Sequence, residues 1–164
     1  KKFDSANDYS ISVRLQYGNN TFLFVGDAEE DSEKEMLKSN QEIGADVYKV
    51  SHHGSKTGTS EEFLEKVDPQ YAVISCGEDN SYGHPHAEVL NLLRREGIKV
   101  FRTDAQGTIV AVSDGKKITW NMSPDERRES LKVPAEMGTA AILTMYRRNL
   151  KKTQRGQRTP MDIF

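Results

Sequence analysis

Three apolar runs, each broken off by a loop carrying glycine with aspartate or histidine, constrain this chain more than any other feature. Phe22-Leu23-Phe24-Val25 ends in Gly26-Asp27, and Val47-Tyr48-Lys49-Val50 ends in Ser51-His52-His53-Gly54-Ser55. Tyr71-Ala72-Val73-Ile74-Ser75 leads through Cys76-Gly77 to Gly83-His84-Pro85-His86. Short apolar runs bounded by turn signals read as buried strands. Helical signals separate them. Ser32-x-x-Glu35 is a capping box expected to open a helix through Lys38 or beyond, stopped near Gly44. Thr59-x-x-Glu62 caps a second helix carrying Phe63, Leu64 and Val67, and Pro85 suits the first turn of a third that buries Val89, Leu90, Leu92 and Leu93.

Residues 9–17 alternate apolar and polar side chains, the period of a half-buried strand, and Gly18-Asn19-Asn20 turns that strand into the first apolar run. Further strands are expected at 98–101, 108–112 and 118–120, the last two joined by Asp114-Gly115. The order is two strands, then helix–strand three times, then a closing hairpin, which predicts a layered α/β domain over 1–123. From 124 to 164 the pattern is lost. One helix is expected over 136–151, followed by a polar, basic tail, so this part reads as a C-terminal extension.

Composition narrows the classes. The chain has 164 residues, 35% of them hydrophobic and 29% charged, and no stretch approaches the ~20 apolar residues of a membrane span. No secretory leader is visible at the start, and one cysteine excludes an internal disulfide framework. The net charge of −2 is uneven, at −6 over 1–123 and +4 over 124–164. An acidic body is not a general phosphate-binding surface, so any work on nucleic acid needs local positive charge, such as a metal ion.

All four histidines fall just past expected strand ends, and in open α/β sheets ligands bind outside the carboxyl ends of the strands. An aspartate, an adjacent histidine pair and a further pair at one sheet edge have the chemistry of a metal site. Asp27 reads as a carboxylate ligand, against its competing role as a turn or cap residue. Neighbouring strand residues face opposite ways, so of His52 and His53 one is expected to ligate metal and the other to pack or support it. His84 and His86, at a helix start, suit proton transfer, with Asn80 and Tyr82 as further donors. Ser55 and Thr57 are candidate substrate contacts, Thr59 and Ser60 are helix caps, and Cys76 reads as a structural thiol.

Together Phe24-Val25-Gly26-Asp27, the run 46–57, Ala72-Val73-Ile74-Ser75, Tyr82-Gly83-His84-Pro85-His86 and Arg102-Thr103-Asp104 with Gly107-Thr108-Ile109 resemble a known pattern. It is that of the metallo-β-lactamase-fold domain of the ComEC competence type, and it covers roughly 7–120. The resemblance implies an αββα sandwich, of which this chain supplies mainly the second half, with one or two divalent transition metals at one edge, zinc or manganese. It implies Asp27 and His53 as metal ligands, with His84 as the alternative ligand. It implies His84 and His86 as catalytic groups, and His52, Ser55, Asn80 and Tyr82 as substrate or supporting contacts. One departure stands out. The family's first motif, of the type His-x-His-x-Asp-His, is absent, since no histidine precedes His52. A catalytic site needs three or more protein ligands, so an upstream segment or a partner chain is expected to supply the rest and to cover an exposed sheet face.

Two functions follow as expectations. The first is a metal-dependent hydrolase, acting on DNA phosphodiesters in competence and so membrane-associated or extracellular, or on a small ester, lactone or phosphodiester if free-standing. The second is a truncated, non-catalytic module for binding or assembly, with the basic stretch 147–158 touching nucleic acid or an acidic membrane.

Overall fold

The structure, a computed structural model, describes residues 2–126. The helix expected over 136–151 and the basic stretch 147–158 lie outside the described residues.

Five strands form the main sheet in the order β1-β2-β3-β4-β5: Val13–Tyr17, Asn20–Phe24, Val47–Lys49, Tyr71–Ile74 and Lys99–Arg102. β1 pairs antiparallel with β2 through the Gly18-Asn19 turn, and the remaining pairs are parallel. Each parallel step is bridged by a helix: α1 (Glu30–Lys38), α2 (Glu61–Val67) and α3 (Ala87–Arg95). The mixed sheet with its helices is the α/β class expected.

Pairing register shows how the core is made. Leu23, Tyr48, Ala72 and Val100 stand opposite one another across four strands. Cross-strand partners share a face of the pleat. This row is buried with Phe63, Leu64 and Val67 of α2 and Val89, Leu90 and Leu93 of α3, while Met36 and Leu37 of α1 pack against it. All three helices therefore cover one face.

The rows Phe22–Val47–Tyr71–Lys99 and Phe24–Lys49–Val73–Phe101 line the other face. A short helix α4 (Thr103–Gln106) precedes the hairpin of β6 (Ala111–Ser113) and β7 (Ile118–Trp120), which reaches that second face. Trp120 stacks on Phe101 at 4.0 Å between ring centroids and lies 5.1 Å from Tyr71. The apolar row of β1 stays open, with Val13, Leu15 and Tyr17 each about half exposed and Phe24 43% exposed. The run 22–25 is thus not buried throughout.

Several helix starts differ from expectation for visible reasons. Ser32 lies inside α1, whose free N–H groups at Glu29 and Ser32 donate to the buried Asp8 carboxylate. Ser60 caps α2, whereas Thr59 takes φ 62° and shares a hydrogen bond with the buried Tyr48 hydroxyl. Pro85 precedes α3, which His86 opens as its cap residue. Tyr9, expected to begin the first strand, instead ends a 3₁₀ turn over Ala6–Tyr9 that carries Asp8, and β1 starts at Val13.

Candidate metal centre

The exits of β2, β3 and β4 converge at one edge of the sheet. After β2 the chain turns at Gly26 with φ +60°, and a side chain there would press on Ser10. The Gly26 carbonyl accepts from the His52 amide at 3.1 Å, and the Asp27 amide donates to Ser10 Oγ at 3.1 Å. Asp27 is thereby held beside the loop that follows β3.

That loop, Ser51–Gly54, is a turn in which His52 and His53 both sit in the left-handed region, with φ of 45° and 56°. Each such residue costs roughly 1–2 kcal/mol in a non-glycine. The turn removes the strand alternation that would have sent the two rings to opposite faces, and their centroids lie 6.3 Å apart. A buried network holds it from below. The Ser51 amide donates to the Tyr48 hydroxyl, and the Ser51 hydroxyl donates to the Ala28 carbonyl. Glu33 of α1, fully buried, accepts from the amides of Thr59 and Ser60 at 2.5 and 2.9 Å. Burial pushes the Glu33 carboxyl above its usual range, against the amide bonds from Ser60 and Thr59 that act to lower it.

The orientation of His53 decides what the edge can do. Its Nδ1 lies 2.6 Å from the Ser75 carbonyl oxygen. A carbonyl brings no proton, so Nδ1 carries the hydrogen, and in the neutral tautomer this selects, the lone pair is on Nε2. That nitrogen lies 3.5 Å from Asp27 Oδ1. Two electron-rich atoms face each other, a contact satisfied only by an extra proton or by a cation between them. Two donors each about 2.1 Å from one tetrahedral ion stand about 3.4 Å apart. The Asp27–His53 pair fits a shared metal ion on both tautomer and separation. Among the described residues no group of three or more His, Cys, Asp or Glu is placed to hold one.

The other histidines surround this pair. His52 Nδ1 lies 3.2 Å from both Glu29 Oε1 and Thr57 Oγ1, so it points into a polar network that also includes Asn7. Burial acts to raise the Glu29 carboxyl, but hydrogen bonds from Ser5, Thr57 and Asn7 and the His52 charge outweigh it and hold it low. His84 stacks on His53 at 6.4 Å and meets His52 at 5.5 Å and His86 at 4.9 Å. Burial lowers its basicity, the neighbouring imidazoles lower it further, and Asp27 acts the other way. His86 Nδ1 accepts from the Lys56 amide at 3.1 Å, leaving Nε2–H as a donor.

The remaining candidates divide. Ser55 is buried and bonds to Thr57, so it shapes the loop. Asn80 braces the next loop, accepting from the His84 amide and donating to the carbonyls of Gly77 and His84. Tyr82 stands 77% exposed at the mouth of a cavity of about 330 Å³ that His53, Cys76 and His84 also line. Burial, with the Asp104 charge, pushes the Cys76 thiol up to about 11, which fits a structural thiol. Lys49, unmarked in the sequence reading, is mostly buried on the second face, where its ammonium donates to the Val50 carbonyl and senses the Asp27 charge. Its position inside an apolar run disguised it. Glu29 and Glu33 were likewise hidden among the acidic residues of a solvent-facing helix start.

Comparison with known proteins adds a family to this geometry. Residues 5–78, which include Asp27, His52 and His53, match the family model of the metallo-beta-lactamase superfamily. The mixed sheet with its helices is consistent with the fold of that superfamily. Members of this superfamily usually bind divalent metals. The chain is 45% identical over 105 residues to "ComE operon protein 3" of Bacillus subtilis, an alignment covering 64% of this chain and 14% of that protein. It is 38% identical to "Competence protein ComA" of Neisseria gonorrhoeae, over 63% of this chain and 15% of that one. It is also 38% identical to "Recombination protein 2" of Haemophilus influenzae, over 63% and 13%. The chain thus spans about one-seventh of the length of these curated relatives.

Proposed function

We propose that this chain is part of a metal-dependent phosphodiester hydrolase acting on DNA in competence. The Asp27 and His53 pair carries the reading, as a carboxylate oxygen and an imidazole nitrogen 3.5 Å apart, the other ring nitrogen being held by the Ser75 carbonyl. The competence relatives direct the choice of substrate. Zinc or manganese suits this donor pair, and the remaining donors come from outside the described residues. A bound divalent ion would acidify water and polarise the scissile group. The chain's own groups then divide the work. Asp27 and His53 would hold the ion, His84 in its neutral form would accept a proton, and the His86 Nε2–H would donate to a phosphoryl oxygen. His52, anchored by Glu29, keeps the turn in place.

The test is calorimetric titration of manganese and zinc into the full 164-residue chain, its Asp27→Asn variant and its His53→Gln variant, each checked for folding by circular dichroism. A tenfold or greater loss of affinity in both variants is expected. Unchanged affinity in Asp27→Asn overturns the assignment. The absence of a three-donor group among the described residues favours a second reading, a non-catalytic module for binding or assembly. Purified chain that takes up no metal, yet binds DNA in a salt-sensitive way lost on deleting 127–164, would put that reading first.

A further inference from the structure

We propose that Tyr82 is a stacking platform for a nucleobase, placed so that the base next to the reacting phosphodiester is gripped before the phosphate reaches Asp27 and His53. The inference rests on the hydrolase reading above and names the residue that would hold the substrate's base. Large exposed aromatic rings usually lie flat on a neighbour to shed apolar surface. The Tyr82 ring does so on one side only. It stacks on His84 at 5.7 Å between centroids and 23° between planes, and 77% of the residue stays open. His84 in turn stacks on His53 at 6.4 Å and 21°. Three near-parallel rings thus lead from solvent to the histidine whose Nε2 faces Asp27. A fourth flat ring laid on Tyr82 would extend the series. Every nucleobase offers such a π-face, and base–aromatic stacking contributes about 1–3 kcal/mol per base.

The platform is held ready. The Gly83 amide donates to the Asn80 carbonyl, and the Asn80 side chain bonds the His84 backbone on both its N–H and C=O sides. Little ordering therefore remains to be done on binding. Charge on the same loop argues against capture by phosphate attraction, since Glu78 and Asp79 are exposed four and three residues before Tyr82. Stacking must supply the affinity. Bases inside a duplex are already stacked on one another, so the platform selects unpaired bases.

Fluorescence anisotropy with a labelled eight-residue deoxyadenylate tests this on the full chain in EDTA, where no turnover occurs. The wild type is expected to bind it, and to bind an abasic eight-residue strand far more weakly. Tyr82→Leu should weaken deoxyadenylate binding roughly 5- to 150-fold and leave abasic binding unchanged. Tyr82→Trp should restore or tighten it, and raising salt from 50 to 200 mM should change it only a few-fold. Equal deoxyadenylate affinity in wild type and Tyr82→Leu overturns the proposal, as does no detectable binding by the wild type at millimolar strand. Equal losses on the abasic strand also overturn it. Because metal is absent throughout, this failure and failure of the metal titration are separate results.

Discussion

At the scale of single residues, the polar atoms under the histidine turn matter as much as those on top of it. Glu33 is fully buried and satisfies two backbone amides, one with each oxygen. In Glu33→Gln one amide would meet the side-chain NH₂ instead of an oxygen. A buried donor left without an acceptor costs about 1–3 kcal/mol, and the urea midpoint should fall accordingly. The pH dependence has a definite sign. The folded state raises the Glu33 pKa above its ordinary 4.5, so the proton is bound more tightly in the fold. That contribution is fully present below pH 4.5 and is lost as pH rises through the raised folded value. The stability difference between wild type and Glu33→Gln should therefore shrink between pH 4 and 7, which urea melts at stepped pH will read. A difference that grows with pH would mean that the amide bonds, not burial, dominate the carboxyl. No sequence pattern marks Glu33 for this role, because its partners lie 26 and 27 residues away. Asp27 and His53 stood out as candidates, since they follow apolar runs by two and three residues.

At the scale of elements, the turn after β3 and the loop before α3 are interlocked. Gly54 has φ +84°, and a Cβ there would come within 2.6 Å of Pro85 Cβ. Its carbonyl also accepts from the His86 amide at 2.9 Å. Gly54→Ala should cost about 1–3 kcal/mol from backbone strain, with more from the clash, and should loosen the 83–86 loop. The measurement is a thermal melt together with hydrogen exchange at the His86 amide. An unchanged melt would show that the loop yields without cost. Strand and helix existence was readable from apolar runs and breakers, and β2, β3, β4, α2 and α3 all occur where expected. Boundaries were less readable where a distant residue does the capping. Asp8, on a 3₁₀ turn, caps α1 in place of the local Ser32 box. The two histidines were assigned by strand alternation, and the left-handed turn that gathers them leaves no trace in apolar periodicity.

At the scale of the whole molecule, the main sheet is finished on one face and partly open on the other. Val13, Leu15, Tyr17 and Phe24 share the open side, exposed by 49%, 52%, 58% and 43%. Leu15→Lys should shift stability by no more than about 0.5 kcal/mol and should reduce binding of the dye anilinonaphthalene sulfonate. A loss of several kcal/mol would mean that Leu15 is covered in solution by something beyond the described residues. The alternation at 13, 15 and 17 read as a half-buried strand, whereas the apolar row it marks is about half exposed. The hairpin that covers part of the same face was also expected, whereas the Trp120–Phe101 stack that seats it joins residues 19 positions apart and had no local signal. The bond from His53 Nδ1 to the Ser75 carbonyl has a different consequence, for inheritance. The atom that aims the imidazole belongs to the backbone, so every amino acid at position 75 supplies it equally. Point mutation there can alter the cavity wall without turning the ring. The lining is thus free to vary while the aim of His53 is inherited intact.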